Sequence, residues 1–511
     1  MIRLSAISFM VCFALLSAAQ VSKEGAPVTW NLPPQLGIPV FKEPLAELDI
    51  PALMQEDNQT IGLKTQPYRF ASAQPVEFST AHNGHWRNLA NGDRVWVLGM
   101  QCSNALALSV EFSHFNIPPG ATVYIYNEDH TDFAGPFTNR QSRIGATTGT
   151  VPIKGNVLYI EYFEPFIQRG NGELVVSSVS RSYRSVSIIP VLPGNDCVNT
   201  AGVAQNEWSD AVMMILTDNG QRAVTGTLVN NTKYDGTPLV ISALQGVIGD
   251  PSALVFVHGV RGGCPGNQIC WDRFVSGAEV LHEHGSSGLV LLRMKDSPGA
   301  YWNAYVAGWN VNDPGLGWYT SIQHAYASQQ TVARSFIEPV QGEWSVFRTW
   351  EIDEWNIGNT FSGSLGSPLF NANGEMIGAL VGGLNTCTQS PGDHFGSFAS
   401  AWNSFRRFLD PVSTNDPMLS GFYPAFNRNP EAVSPYEDLI VFPNPATNEV
   451  RIQNVSDEAI LEVSLIDLTG RICRSWGTGV PVYDLSDVSS GHYLLKIRQD
   501  SGYTIKQLIR R

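Results

Sequence analysis

Residues 361–370 read Phe-Ser-Gly-Ser-Leu-Gly-Ser-Pro-Leu-Phe. Gly363, Ser364, Gly366 and Ser367 are small residues that favour turns, and Pro368 closes the run before an apolar pair. Leu365 stands between these small residues. Taken alone, a Gly/Ser turn identifies no fold. The stretches around it narrow the reading: "VTGTLVNNT" (224–232), "PLVISALQGV" (238–247), "GLVLLRM" (288–294), "VAGWN" (306–310), "GSPLFNANGEMIGALVGG" (366–383), "DHFGSFASAW" (393–402) and "FLDP" (408–411) follow one another in this order. Most are short, β-branched and bounded by Gly, Asn or Asp, which is the pattern of strands and turns. Only "SFASAWNSFRRFL" (397–409) reads as a helix.

A chain of 511 residues is expected to hold about two to four domains. Charged residues make up 15%, aromatics 10%, with 47 Gly and 31 Pro, a composition suited to β-rich extracellular domains. The net charge of −14, with no long basic run, argues against nucleic acid as a partner. Arg3 followed by "AISFMVCFALLSAA" (6–19) has the layout of a signal peptide over 1–19, with cleavage expected after Ala19. No later run is long and apolar enough for a membrane helix, so no transmembrane segment is expected. Cys102, Cys197, Cys264, Cys270, Cys387 and Cys473 remain after cleavage. An exported chain favours disulfides, and the CxxC spacing of a zinc site is absent, so neither a metal nor any other cofactor is expected. Cys264 and Cys270, in "CPGNQIC", are spaced for a local pair.

Three segments emerge. After a proline-rich lead, "DRVWVLGMQ" (93–101), "ALALSVEFSHF" (105–115), "ATVYIYNE" (121–128) and "NVLYIEYFEPF" (156–166) predict a β-sandwich over 20–185. Residues 186–430 are strand-dominated with one late helix. From about residue 436 to 511, alternating runs such as "EVRIQN" and "HYLLKIRQ" predict a small C-terminal β-sandwich. The fold class is all-β.

The middle segment resembles the secreted lysyl endopeptidases, a branch of the trypsin-like double β-barrel serine proteases, on the seven ordered stretches quoted above. In that family the nucleophile loop reads G-x-S-G-[GS]-P. The resemblance puts Leu365 at the serine, Gln245 of "SALQG" at the general-base histidine, and Gly288 of "GLVLL" at the orienting aspartate. No catalytic residue is expected: an amide does not titrate near neutrality, glycine has no carboxylate, and leucine cannot attack a carbonyl. The resemblance also implies a Cys197–Cys387 disulfide, and it places Val224 and Gly246 where the family has a second bridge. Asp393 of "DHFG" matches the aspartate that binds the substrate lysine, while Val381 replaces a pocket histidine found in one branch of the family.

The first segment resembles the prodomain of the same proteases on "IPPGATVYIYN" (117–127), "GPFTNRQ" (135–141) and "GNVLYIEYFEP" (155–165). It is expected to stay attached unless another protease cuts near Arg181 or Arg184. The last segment resembles a type A sorting domain of the type IX secretion system on "VFPNPATNEVRI" (441–452), "LIDLTGR" (465–471), "VYDLSDVSSGHYLLKI" (482–497) and "KQLIRR" (506–511). That implies the type IX machinery as a partner, with delivery to the cell surface or the medium. The expectation is an exported pseudoprotease that binds a peptide or protein, with Asp393 a candidate pocket for a Lys-containing ligand. The competing expectation is an active Lys-specific serine endopeptidase using a displaced nucleophile, Ser364 or Ser367, with a base from among His258, His282, His284 and His324. A decaying paralogue without a ligand is the third.

Overall fold

The computed structural model describes residues 25–32, 41–60, 63–142, 145–186, 197–200, 207–260, 271–299, 302–312, 317–424, 439–442, 446–454, 460–467, 471–480, 482–499 and 502–511. The signal-peptide reading of 1–19 and the Cys264–Cys270 pair lie outside the described residues. The chain divides into two compact units, residues 1–428 and 429–511.

The alternating runs of the first segment form two sheets. One has six strands centred on Arg94–Gln101, Val157–Glu164 and Thr122–Asn127; the other has five, centred on Ala107–Asn116, Glu173–Ser182 and Ala71–Ser79. Strand residues one apart face opposite sides, so Trp96, Leu98 and Met100 from the first sheet meet Leu108, Val110 and Phe112 from the second in a shared core. The proline-broken Lys42–Pro44 sits at the edge of its sheet, paired in parallel with Gly99–Gln101, where a proline removes no interior bond.

The middle segment builds the two half-barrel sheets of the protease fold. The earlier sheet has eight strands, among them Val212–Thr217, Arg222–Val229, Leu239–Ala243 and Leu289–Met294. The later one has nine, among them Tyr319–Gln323, Pro368–Phe370, Glu375–Gly383 and Asp393–Ser397. Helix Phe398–Leu409 follows directly, as its sequence predicts. Ser397 caps it by accepting the Ser400 N–H, Phe398, Ala401, Phe405 and Leu409 form its buried face, and Arg406 and Arg407 suit its negative end.

The first two segments form one body. The core that starts at Trp96 and Phe112 continues into Met214, Ala223, Val257 and Phe274 of the protease sheet. A short strand, Tyr68–Arg69, pairs with Ala223 and Arg222. A helix that the sequence pattern did not disclose, Ile50–Asn58, precedes it, capped by Asp49 with Pro51 in its first turn. Its C-terminal end carries Glu56 and Asp57, the wrong charge for that end of a helix. Arg69 offsets both by bonding Glu56 and Asp57, and Asp57 also accepts from Arg184 and from the Tyr183 hydroxyl at 2.7 Å. Burial, aided by Asp57, raises the Tyr183 phenol well above its ordinary value.

Residues 429–511 have their own core. Sheets of three and four strands enclose Val450, Val463, Leu465, Tyr483, Leu495, Ile497 and Leu508. Cys473 is exposed there, whereas Cys102 is buried in the first unit.

Asp57 is the one acid joining the helix, strand Tyr68–Arg69 and the end of strand Glu173–Ser182. Asp57→Ala should destabilise the first unit by about 2–3 kcal/mol, below the full cost of orphaning a buried charge because Arg69 keeps partial contact with water. Chemical denaturation followed by tryptophan fluorescence checks this.

Candidate functional site

The 361–368 loop is held between the two protease sheets by backbone bonds. The Thr225 N–H donates to the Leu365 carbonyl at 2.9 Å, the Gly366 N–H to Leu380 at 2.8 Å, and the Leu380 N–H to Ser367 at 2.8 Å. Gly366 has φ +83°, and a Cβ there would stand 2.2 Å from both Ser242 Oγ and the Thr225 carbonyl. Only glycine permits that approach. The loop is thereby pressed against strand Leu239–Ala243, two residues before Gln245. Leu365 is completely buried and belongs to the core that joins the two sheets, with Ile241, Ala243, Leu291 and Val381. It is a packing residue, not a plug standing in an open cleft.

Gln245 is half-buried in a single helical turn after strand Leu239–Ala243, and among the described residues its Oε1 has no hydrogen-bond partner. Leu244 donates its N–H to the Gly288 carbonyl at 2.8 Å. The chain thus brings the three expected positions to one place. At Gly288 the backbone itself is unsuited to an acid: φ is +68°, and a Cβ would stand 3.0 Å from Val381 Cγ1 and 3.2 Å from both Phe347 Cδ atoms. The room for a carboxylate is filled by Phe347 and Val381.

The candidate replacement groups are engaged elsewhere. Ser364 is buried and accepts the Phe361 N–H at 2.9 Å, and Ser367 accepts from Ser321 at 3.1 Å. His258 is buried against Trp302 with Nε2 2.8 Å from the Asp210 carbonyl, and buried His324 places Nδ1 3.0 Å from the Ser328 carbonyl. His284 meets Ser287 at 2.8 Å within a strand turn and, like His282, lies against Phe405. Burial and the neighbouring His282 lower the pKa of His284.

Cys197 and Cys387 are bonded, with Cα atoms 5.5 Å apart. A Cβ at Gly246 would stand 3.5 Å from the Val224 Cβ, within the range of bonded cysteines.

Asp393 has no exposure to solvent, and every direction around it is supplied with a donor. Trp355 Nε1 donates at 2.7 Å, Thr360 Oγ1 at 2.6 Å and the Asn385 N–H at 3.3 Å. The fourth donor is Lys64, whose Nζ lies 2.7 Å from Oδ1 and 3.0 Å from Oδ2. Lys64 is itself 3% exposed, and its Nζ also reaches Asn359 Oδ1 at 3.4 Å. Burial pushes the Lys64 ammonium below its ordinary value, while the Asp393 charge and hydrogen bond oppose that shift. Sequence reasoning found Asp393 but not Lys64, since the two are 329 residues apart and no spacing rule links them.

Two antiparallel-rich half-barrel sheets meeting at a buried Gly/Ser loop define a chymotrypsin-like protease fold. Residues 195–398 match the family model described as lysyl endopeptidase, C-terminal domain. Residues 440–511 match the secretion system C-terminal sorting domain, so the protein is handled by the type IX machinery and delivered to the cell surface or beyond. A solved structure, the apo MamO protease domain from Magnetospirillum magneticum, is 13% identical over 40% of this chain and 100% of that one, with a TM-score of 0.28. That likeness is too low to bear on the site. Among the described residues, no helix is long and apolar enough to cross a membrane.

The closeness of Val224 and Gly246 can be tested directly. A Val224→Cys/Gly246→Cys variant should oxidise to a disulfide without loss of the fold, seen as one blocked thiol pair by mass spectrometry.

Proposed function

We propose that this protein is an exported, catalytically inactive relative of the lysyl endopeptidases that acts by binding. The domain plan is a signal peptide over 1–19, a prodomain-like unit over 20–185, a pseudoprotease over 186–430 and a sorting domain over 436–511. Gln245, Gly288 and Leu365 are the triad positions, all three replaced. The observation that carries this reading is the burial of Leu365 together with the closed space at Gly288. A nucleophile has to face a cleft, with a base and an orienting acid in line behind it, and here core packing takes the place of both ends of that relay.

The expected ligand is a peptide or protein. The Asp393 pocket already holds Lys64, so a lysine-containing ligand would have to displace it. A second surface feature favours a protein partner. Phe336, Ile337, Val340 and Val346 are 57%, 45%, 50% and 75% exposed within eleven residues of chain, and Val340–Trp344 is the last strand of its sheet. Exposed apolar groups beside a sheet edge are common in contact surfaces.

The purified protein should not react with a fluorophosphonate and should not cleave a Lys-rich peptide library. Labelling lost in Ser364→Ala would overturn the inactive reading in favour of a displaced nucleophile. Restoring the triad by Gln245→His/Gly288→Asp/Leu365→Ser should give no activity. It should also destabilise the protein by about 3–5 kcal/mol, through the cavity at 365 and the clash at 288. A photo-crosslinking residue at Val346 of the exported protein should give a discrete protein adduct, and none would count against the binding surface.

A further inference from the structure

The lysine pocket and its occupant are parts of one chain. We propose that Lys64 is a resident, substrate-like ligand of the Asp393 pocket. The segment around it acts as a built-in stopper that keeps exogenous lysine side chains out. This deepens the function proposed above and rests on reading Asp393 as the floor of the lysine pocket. It does not depend on the loss of catalysis.

Three observations carry it. The first is the match of donors to acceptors. A primary ammonium has three N–H groups, and the pocket offers three acceptors: Asp393 Oδ1, Asp393 Oδ2 and Asn359 Oδ1. The remaining capacity of Asp393 is taken by Trp355, Thr360 and the Asn385 N–H. The site thus holds a compact point charge on a flexible stem, neutralised by a single carboxylate.

The second observation is the way the segment is fastened. Four residues after Lys64 the chain enters the pairing of Tyr68–Arg69 with the protease strand. Arg222 donates to the Pro67 carbonyl, and Arg69 is held by Asp57. The Tyr68 ring meets Tyr326 edge-on at 5.5 Å, and Tyr326 lies 5.7 Å from Phe361 at the start of the Gly/Ser loop. The segment therefore spans from the pocket to the loop that carries Leu365. Because it is tethered, its lysine competes intramolecularly, and a free peptide meets a high effective concentration of the resident group.

The third observation is burial. Lys64 and Asp393 have 4% and 0% of their side chains exposed. A lysine this enclosed is exceptional unless matched by an acid. Each group depends on the other, so vacating the pocket without a replacement cation is costly.

The test uses the full chain and n-butylammonium, the lysine side chain without its backbone. Lys64→Ala should lower the melting temperature by several degrees. n-Butylammonium should restore much of that loss in a concentration-dependent way, and n-butanol should not. The parent should be indifferent to both, and Lys64→Ala/Asp393→Asn should not be rescued. A folded Lys64→Ala protein that n-butylammonium leaves unmoved would overturn the proposal. So would retention of the parent on a lysine-peptide resin as strong as that of Lys64→Ala. Should Lys64→Ala fail to fold, acetylation of the parent with an N-hydroxysuccinimide ester decides. Lys64 should be modified about tenfold or more slowly than exposed Lys154, because reaction requires the segment to open. Equal rates would sink the stopper. None of these readouts involves turnover, so failure here would leave the inactive-scaffold reading standing.

Discussion

A carboxylate sealed from water has to be neutralised or fully bonded, because the cost of an uncompensated buried charge exceeds what a domain can spare. Asp393 is that carboxylate. Its donors come from three separated stretches: Lys64 in the N-terminal segment, Trp355 and Thr360 ahead of the Gly/Ser loop, and Asn385 in the connection leading back to Asp393. Meeting this one requirement positions the N-terminal segment on the protease sheets and orders the rim of the pocket. Asn385 in turn bonds the Ile352 carbonyl and the Gly392 N–H, which carries the constraint into two strands of the later sheet.

Much of the architecture is legible in the order of residue types. Alternating apolar runs marked the strands, and the 397–409 pattern marked the helix, because both depend on local periodicity. The loop at Leu365 was legible because Gly363, Gly366 and Pro368 mark it in the sequence. What local reading missed depends on distant partners. Helix Ile50–Asn58 buries only Asp57, so no apolar stripe announces it. Lys64 is an ordinary lysine until the fold lays it beside Asp393. The enclosed backbone of Gly288 could be read as a lost acid, but not as a place where an acid no longer fits. That follows from Phe347 and Val381, which arrive from other strands.

The junction between the first two segments shows the same dependence. Sequence composition divides them at residue 185, yet their apolar core is continuous. Arg181 and Arg184, the basic residues near which a cut by another protease is expected, both bond to neighbouring segments. Arg181 is paired with a strand on either side, opposite Ser72 and Leu108. Arg184 donates its N–H to the Phe70 carbonyl and its guanidinium to Asp57. Arg181 therefore lies within a sheet, and Arg184 follows it in a bend. The first segment thus shares one core with the sheets that follow it.

The contact between Val224 and Gly246 has a bearing on chemistry outside the fold. Where the resemblance implies a second covalent bridge, this chain has a valine close to a glycine, a pair on which no reductant can act. Among the described residues, sensitivity to thiols is concentrated in the single Cys197–Cys387 bond. Cys387 stands two residues after Asn385, whose amide faces Asp393. The redox state of the surroundings therefore meets this molecule beside the buried Lys64–Asp393 pair.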